Sequence, residues 1–182
     1  MELWDLYTAD RIPTGRTMVR GEKMPEGLYR IVVHVCVFNR AGEMLIQQRQ
    51  PFKDGWSNLW DLTVGGSAVA GETSPEAAER ELAEELGLKS VLHAARPALT
   101  IHFRQGFDDI YLIDAEPQIA DLRFQYEEVQ AARWCGKDGI LRMIAEKTFI
   151  PYNPALIEML FVLHEHRDVY IAGDWTRRVS AP

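Results

Sequence analysis

Three glutamates stand at spacings that would place them on one side of a helix. Glu81, Glu84 and Glu85 follow one another at positions i, i+3 and i+4, and at ~100° per residue they fall within an arc of roughly 100°. Carboxylates this close repel one another, so a cation should compensate them. Clustered oxygen ligands suit Mg²⁺ or Mn²⁺, which share their coordination with water and substrate phosphates. Such a metal can lower the pKa of a bound water and so produce a nucleophile at neutral pH.

The same glutamates also fit an ordinary surface helix. Glu-rich helices with interspersed arginines are common as solvated, salt-bridged faces, and Glu76, Arg80 and Glu84 follow one another at a spacing of four residues. The composition of the helix alone favours this structural explanation. A functional explanation depends on the wider pattern around the helix.

The residues at both ends of this segment predict a short helix after a glycine turn. Ser74 is a good N-cap, Pro75 is a good first helical residue, and Gly87 is placed to end the helix as a C-cap. The predicted helix is about three turns long. Its apolar stripe consists of Ala78, Leu82 and Leu86. One side of the helix is therefore expected to pack against the core while the adjoining side is anionic.

A longer gapped pattern surrounds the helix. Gly66 is followed after five residues by Glu72, and after seven more by the run from Arg80 to Leu88. The stretch resembles the Nudix box with every defining position filled. The resemblance extends over roughly residues 29–150 and implies a hydrolase with a Nudix-like α/β/α sandwich and a mixed β-sheet. Within the box, it implies that Glu72 supports the loop or an outer metal.

The resemblance also implies roles for the other polar residues of the box. Glu84 and Glu85 would be metal ligands, and Glu81 would be a ligand or the base that activates water. The backbone carbonyl of Gly65 would contact the metal, and Arg80 would orient the glutamates. The cofactor would be Mg²⁺ or Mn²⁺.

Further candidate site residues lie outside the box. Arg49, at the end of a predicted strand, is either a phosphate contact or a structural ion-pair partner. Lys53 belongs to the loop 50–59, which we expect to overhang the site and contact phosphate. Glu127 and Glu128 precede a predicted strand that ends near Trp134, a segment that also resembles Nudix proteins. One of them, which we take as Glu128, would supply a further metal ligand or a base; the alternative is two solvated acids in a loop.

The elements that must position these residues follow from the periodicity of the sequence. Two helical patterns run from Lys137 to Lys147 and from Pro154 to about Arg167. The predicted strands cover residues 29–38 and 44–49 as a buried hairpin, then residues 60–64, 90–103, 107–114 and 132–134. Strands that enclose one helix, with further helices behind them, predict an α/β (α+β) fold.

Two divisions of the chain are expected. Residues 1–28 are polar and turn-rich and would form an N-terminal extension packed on the main domain, residues 29–182. The extension carries four cations that could help hold an anionic substrate, although a solvated surface is the simpler explanation: Arg11, Arg16, Arg20 and Lys23. His34 and Trp60 are interpreted as core residues.

Composition excludes several classes of protein. The chain has 182 residues and a net charge of −7, which argues against a nucleic-acid polymer as partner because that requires a basic surface. Cys36 and Cys135 stand far apart without a CxxC pair, so neither a disulfide framework nor a zinc cluster is indicated. No signal peptide and no apolar run long enough to span a bilayer are visible. We expect a cytoplasmic protein that acts on a small-molecule diphosphate.

Three functions remain open within the Nudix resemblance. The preferred one is Mg²⁺-dependent hydrolysis of a nucleoside diphosphate derivative or a related organic diphosphate by water attack at phosphorus. The chain also resembles isopentenyl diphosphate isomerase, but the acid–base cysteine and a metal-binding histidine of that enzyme correspond to Gly65 and Ser67, and another histidine corresponds to Arg30. Glycine cannot donate a proton. A non-catalytic nucleotide sensor is the third alternative. Dimers are common in the superfamily, so a homodimer is one possible assembly.

Overall fold

A computed structural model describes residues 2–92 and 94–166 of the chain. Nine strands and three α-helices are present in these residues. The strands are β1 (Leu3–Tyr7), β2 (Pro13–Val19), β3 (Arg30–Phe38), β4 (Met44–Arg49), β5 (Trp60–Asp61), β6 (Val64–Ser67), β7 (Leu99–Phe103), β8 (Gly106–Asp114) and β9 (Val129–Cys135). The helices are α1 (Ser74–Leu86), α2 (Lys137–Ala145) and α3 (Pro154–Glu165).

The main sheet is mixed and contains seven strands. Its continuous order is β5-β4-β3-β8-β7, while β6 pairs with the first half of β3 and β9 pairs with β4. The β3 and β8 strands are parallel over their full lengths, and the other pairings are antiparallel. Because β3 carries both β6 and β8 as neighbours, it is buried in the middle of the sheet, which explains its run of β-branched residues.

Alternation along β3 divides the core into two layers. Val33, Val35 and Val37 pack with the buried face of α1. Cys36 and Phe38 point to the other side of the sheet, where they pack with α2 and α3. A sheet covered by α1 on one face and by α2 and α3 on the other is an α/β/α sandwich, and the predicted fold class is confirmed.

The helix that carries the glutamates begins one residue earlier than the sequence suggested. Its N-cap is Thr73, so the prediction of Ser74 was wrong. The Glu76 carboxylate accepts hydrogen bonds from the backbone N–H of Thr73, at 2.8 Å, and from its hydroxyl, at 2.7 Å. Ser74 cannot cap because its hydroxyl donates to the buried carboxylate of Asp109. At the other end, Gly87 is the C-cap with φ 69°, as predicted.

The N-terminal residues form a second, two-stranded sheet. Strands β1 and β2 are antiparallel, and Trp4, Leu6 and Met18 form a small core of their own. This hairpin contacts the main sheet through a bridge between Tyr7 and Tyr29. It is thereby placed beside the loop that leads into α1, where the N–H of Ala70 donates to the carbonyl of Leu3 at 2.8 Å.

Some predicted boundaries differ from the observed ones. The predicted strand 90–103 begins only at Leu99, and the predicted strand 60–64 is divided between β5 and β6. The C-terminal helix ends at Glu165, and Arg167 lies outside the described residues. Within the described ranges, every helix is too short or too polar to cross a lipid bilayer.

Candidate active site

The glycine turn at the end of β6 lies directly against Glu81 of α1. Strand β6 is held to β3 by pairing of Gly65 with His34 and of Gly66 with Val33. A β-carbon at position 66 would overlap Cδ and Oε1 of Glu81 and lie 2.7 Å from Oε2. Only glycine allows the carboxylate to approach the backbone this closely. The turn and the helix therefore form one unit.

Arg80 connects the acidic residues around this turn. Its Nη1 donates to Glu81 Oε1 at 2.9 Å and to Glu84 Oε2 at 3.0 Å. Its Nε donates to Glu72 Oε1 at 2.7 Å, and its Nη2 donates to Glu72 Oε2 at 3.1 Å and to the carbonyl of Ser67 at 3.1 Å. The guanidinium is planar and rigid, so these contacts fix the mutual orientation of the carboxylates.

Glu85 is the most deeply buried acid of α1. Glu85 is 4% exposed, and its Oε2 accepts a hydrogen bond from Gln47 Nε2 at 3.2 Å. Burial raises the pKa of Glu85 well above its ordinary value, and the charges of Glu81, Glu128 and Asp61 raise it further. Burial likewise raises the pKa of Glu81, against the opposing effect of Arg80. The two carboxylates therefore form a crowded anionic centre.

A polar cavity of about 250 Å³ opens over this centre. Its walls bring together residues from six separate segments: Glu2, Arg20, Arg49, Lys53, Gly65, Gly66, Ser67, Arg80, Glu81, Glu84, Glu85, Gln125 and Glu128. Eight of the residues proposed from the sequence lie in this wall, whereas Glu72 does not: Arg49, Lys53, Gly65, Arg80, Glu81, Glu84, Glu85 and Glu128. Glu127 is exposed and does not line the cavity.

Two of the predicted site residues contact each other across the cavity. Lys53 Nζ donates to Glu128 Oε1 at 2.6 Å, and both side chains are largely buried. Arg49 Nη1 lies 3.7 Å from Asp61 Oδ2, while its buried Nε has no hydrogen-bond partner among the described residues. Arg49 thus both lines the cavity and pairs with a structural acid, so both of its proposed roles are compatible with its position.

A second buried polar cluster lies behind the glycine turn. His34 Nδ1 is 2.7 Å from Asp108 Oδ1, and Tyr152 donates its hydroxyl hydrogen to Asp61 Oδ1 at 2.8 Å. Burial opposes protonation of His34, but the hydrogen bond to Asp108 and the charges of Asp108, Asp61 and Glu81 together outweigh it and raise the pKa of His34 above its usual value. His34 is therefore a core histidine with its partners satisfied, as the sequence analysis expected.

Comparison with known proteins identifies the fold family. Residues 28–156 match the family model of the NUDIX domain. The chain belongs to the Nudix family. An uncharacterized Nudix hydrolase of Listeria monocytogenes is 47% identical over 152 residues, which cover 84% of this chain and 90% of that protein. Nudix hydrolases act on diphosphate bonds, so the chain is a hydrolase of this class.

Two further comparisons bear on the branch and on the fold. An isopentenyl-diphosphate Delta-isomerase of Burkholderia multivorans is 31% identical over 149 residues, covering 76% of this chain and 83% of that enzyme. A crystal structure of a protein from Deinococcus radiodurans superimposes with a TM-score of 0.70 at 23% identity, over 87% of this chain and 97% of the other. The structural match supports the Nudix fold.

Nudix hydrolases generally use divalent metal ions, and the donor set here fits such an ion chemically. The acidic side chains of the cavity wall offer carboxylate oxygens, which are the ligands that hard divalent cations prefer. Glu85 is buried beside other acids, and its carboxylate accepts a hydrogen bond from the amide of Gln47. Among residues 2–92 and 94–166, however, no group of three or more His, Cys, Asp or Glu side chains is arranged to hold a metal ion as it stands. Arg80 holds Glu81 and Glu84 in ion pairs instead.

Sequence reasoning missed several residues that line the Nudix site or contact its acids. Gln47 is a buried polar residue of β4 that contacts Glu85, and nothing in its sequence context distinguishes it from its neighbour Gln48. Glu2 and Ser67 line the cavity without having been proposed. Arg20 lines it as well, whereas Arg11 binds Asp109 far from the cavity wall. The cations of the extension therefore have different roles.

Proposed function

We propose that this Nudix protein is an Mg²⁺- or Mn²⁺-dependent hydrolase that cleaves the diphosphate bond of a nucleoside diphosphate derivative or a related organic diphosphate. The observation that carries the proposal is the anionic centre of Glu81 and Glu85 under a cavity that also contains Arg49 and Lys53. Buried acids that repel one another are costly unless a cation compensates them. A diphosphate substrate also needs cations around its oxygens.

Each protein group has a definable task in this reaction. Glu84, Glu85 and Glu128, with Glu81 and the carbonyl of Gly65, would hold the metal. When bound, a divalent cation acts as a Lewis acid on phosphoryl oxygens and lowers the pKa of a bound water. The protein's own cations would orient the substrate for in-line attack.

Glu81 is the residue we propose as general base. Its Oε1 is occupied by the hydrogen bond from Arg80, which leaves Oε2 to accept the proton of the attacking water. Glu127 is exposed outside the cavity wall, and Glu128 is bound by Lys53. A base must lie within hydrogen-bond reach of the proton that it takes, and the orientation that Arg80 gives Glu81 at the cavity wall supports this role.

The cations of the wall are placed to contact the diphosphate. Arg49 and Lys53 come from β4 and the loop after it, a different segment from the helix that carries Arg80. Substrate phosphate could replace the Glu128 carboxylate as the partner of Lys53, which would leave Glu128 as a metal ligand. The ion pair between Lys53 and Glu128 is therefore compatible with the role of Lys53 as a phosphate contact and the role of Glu128 as a metal ligand, provided that substrate and metal bind together.

Exposed aromatic residues support a substrate with a planar group. The rings of Phe52 and Tyr126 are 5.6 Å apart, although Phe52 is 56% and Tyr126 is 71% exposed. Their chain neighbours, Lys53 and Gln125, line the cavity. Aromatic side chains that stay exposed beside a phosphate-binding cavity can stack on a nucleobase. This pair supports the nucleoside part of the proposal.

The packing around Gly65 argues against isomerase activity in this chain, although some of its relatives are named as isomerases. A β-carbon at this position would lie 2.5 Å from Cδ2 and 2.7 Å from Nε2 of His34. The acid–base cysteine that an isomerase needs would therefore clash with His34, and Ser67 is already bonded by Arg30. Hydrolysis requires only groups that the site contains.

The proposal is tested with a panel of nucleotide sugars, dinucleotides, nucleoside triphosphates and prenyl diphosphates in Mg²⁺ or Mn²⁺. We expect the wild type to release phosphate or nucleotide from at least one compound. Glu85→Gln should lower this rate by on the order of 100-fold or more, since even partners outside the metal's ligand shell typically contribute 10- to 100-fold. Glu158→Gln, at an exposed position of α3, is the matched control.

Two outcomes would contradict the hydrolase. Binding of a nucleotide without cleavage, unaffected by Glu81→Gln and Glu85→Gln, would indicate a sensor. Interconversion of isopentenyl and dimethylallyl diphosphate without phosphate release would indicate an isomerase. A cytoplasmic location and a homodimer stay predictions of the sequence.

A further inference from the structure

The guanidinium of Arg30 does not line the cavity itself but bonds Ser67, which does. It is sandwiched between aromatic rings, with Cζ 4.2 Å from the ring centroid of Trp4 and 5.8 Å from that of Phe103. Nη1 donates to Ser67 Oγ, and the buried Nε has no hydrogen-bond partner among the described residues. No salt bridge to Arg30 is formed within residues 2–92 and 94–166. The two aromatic rings hold the guanidinium in place, and the charge of Glu2 acts on it without a direct ion pair.

A second guanidinium lies nearby on the N-terminal hairpin. Arg20 Nη1 donates to Glu2 Oε2 at 2.7 Å, and Glu2 Oε1 accepts from Trp4 Nε1 at 2.7 Å. Arg20, Glu2 and Ser67 all line the cavity. Burial lowers the pKa of Arg30, and the charge of Arg20 lowers it further, so the two guanidinium groups repel each other. Glu2 is ion-paired with Arg20, and its charge also acts on Arg30, so the two guanidinium groups share this carboxylate.

The hairpin that supplies these groups lies outside the matched family domain. The domain begins at residue 28, whereas Glu2, Trp4 and Arg20 belong to or adjoin β1 and β2. The hairpin is nevertheless bound to the loop before α1, because the N–H of Gly71 donates to Asp5 Oδ2 at 2.7 Å. The hairpin therefore contributes the charged residues Glu2 and Arg20 to a cavity whose other lining residues come from the Nudix domain.

We infer that Arg20 and Arg30 form a subsite for a further phosphate group of the substrate, beyond the diphosphate that is cleaved. Ser67, which is bonded by Arg30 and follows the glycine turn, would donate or accept a hydrogen bond where the diphosphate joins the further phosphate. The substrate class is thereby narrowed to compounds with an additional phosphate next to the diphosphate, such as a triphosphate chain. This inference rests on the proposed function for the place of the cleaved bond, although the binding itself does not require turnover.

The geometry matches the chemistry of a phosphate better than that of a neutral group. Arginine binds phosphate through several N–H groups in one plane, and Arg30 has donors left over after its bond to Ser67. The charges of Glu2, Glu128 and Glu81 act on Arg20. Lys53 and Arg20 both line the cavity, and a polyanion long enough to bridge them would place its further phosphate at the arginines.

Calorimetric titration with non-hydrolysable polyphosphonates tests the subsite directly. The probes are methylene diphosphonate and the corresponding triphosphonate with two methylene bridges, each titrated in the presence of Mg²⁺. The wild type should bind the triphosphonate about tenfold more tightly, as expected for one more charge-assisted contact. Arg20→Gln and Arg30→Met should each reduce this preference to within about threefold, since methionine keeps an apolar side chain between the two rings.

A matched substitution on the same hairpin serves as the control. Arg16 lies on β2 at an exposed position away from the cavity, so Arg16→Gln should keep the tenfold preference. Thermal unfolding would show whether Arg30→Met still folds, and the exposed Arg20→Gln provides an independent test if it does not. A wild-type preference near one, or a preference unchanged in both variants, would overturn the subsite.

The same titration separates this inference from the proposed function. A protein that hydrolyses no compound of the panel but prefers the triphosphonate through Arg20 and Arg30 would retain the subsite and lose the hydrolase. A protein that turns over substrate but shows no such preference would retain the hydrolase and lose the subsite.

Discussion

The backbone of Gly66 is in van der Waals contact with the carboxylate of Glu81. A β-carbon at position 66 would overlap Cδ and Oε1 of this side chain. Glu81 is also held by Arg80, which bonds its Oε1 at 2.9 Å. The carboxylate is therefore fixed from two sides, by the absence of a side chain on one residue and by a hydrogen bond from another. Its position is a property of the turn and the helix together.

Gly66→Ala is expected to lower activity far more than stability. The added methyl group must push Glu81 out of its place, and a displacement of about 1 Å at a reacting group can cost on the order of 100-fold in rate. Gly136→Ala is the control, because a β-carbon there meets no atom within 4 Å and its φ is −75°. Steady-state rates and thermal unfolding of both variants compare the loss of activity with the loss of stability. Equal activity in the two variants would show that Glu81 needs no fixed position.

The parts of this site that are local in sequence were predictable, and those that depend on distant contacts were not. The spacing from Gly66 to Glu85 defines which residues meet, because a turn and one helix determine their geometry. By contrast, Ser74 is a good candidate N-cap in the sequence, but its hydroxyl donates to Asp109 on a distant strand and so does not cap the helix. Lys53 and Glu128 were proposed separately, and their ion pair joins residues 75 positions apart.

The N-terminal hairpin shows the same limit of sequence reasoning. Its cations were indistinguishable in sequence, but Arg11 binds Asp109, 98 positions away, while Arg20 lines the cavity. Which charge belongs to the site depends on how the hairpin packs on the main domain, through distant contacts such as the bridge between Tyr7 and Tyr29 and the hydrogen bond from Gly71 to Asp5. The fold class, by contrast, followed from strand and helix periodicity together with the resemblance to the Nudix family.

Tyr126→Ala should weaken binding of substrates that contain a nucleobase. Stacking on an aromatic side chain contributes about 1–3 kcal/mol per base, so KM for a nucleotide substrate should rise about tenfold while Tyr126→Phe should retain most of the affinity. Met159→Ala removes an exposed apolar side chain of α3 and is the control. If KM rises equally for a prenyl diphosphate, which has no base, the aromatic pair of Phe52 and Tyr126 is not a base platform.

Asp109 should stabilise the fold in a pH-dependent way. Its side chain is fully buried and accepts hydrogen bonds from Arg11 at 2.8 Å, Thr100 at 2.7 Å and Ser74. Burial alone would raise the pKa of Asp109, but these donors outweigh burial and lower it. A carboxyl whose pKa is lower in the folded state stabilises fully above its unfolded value of ~3.9. This stabilisation is lost as the pH falls through that value towards the folded pKa.

Asp109→Asn is therefore expected to lower the free energy of unfolding by about 2 kcal/mol at pH 7, as for a hydrogen bond to a charged group. The difference from the wild type should shrink as the pH is lowered from about 5 to about 3. Urea unfolding at several pH values measures it, with the exposed Asp121→Asn as the control. A difference that stays constant over this range would show that the charge of Asp109 is not what stabilises the fold.

Gly65 and His34 should be energetically coupled. His34 cannot move away from a side chain at position 65, because its ring is held by Asp108 at 2.7 Å and packs edge-on against Tyr152. Gly65→Ala should therefore cost about 1–3 kcal/mol of stability by overpacking, and the cost should be smaller in a His34→Ala background. A double-mutant cycle by urea unfolding should give a coupling of about 1 kcal/mol or more. Gly136→Ala combined with His34→Ala should be additive. Additivity at position 65 as well would mean that His34 does not require the glycine, and the packing argument against a cysteine there would fail.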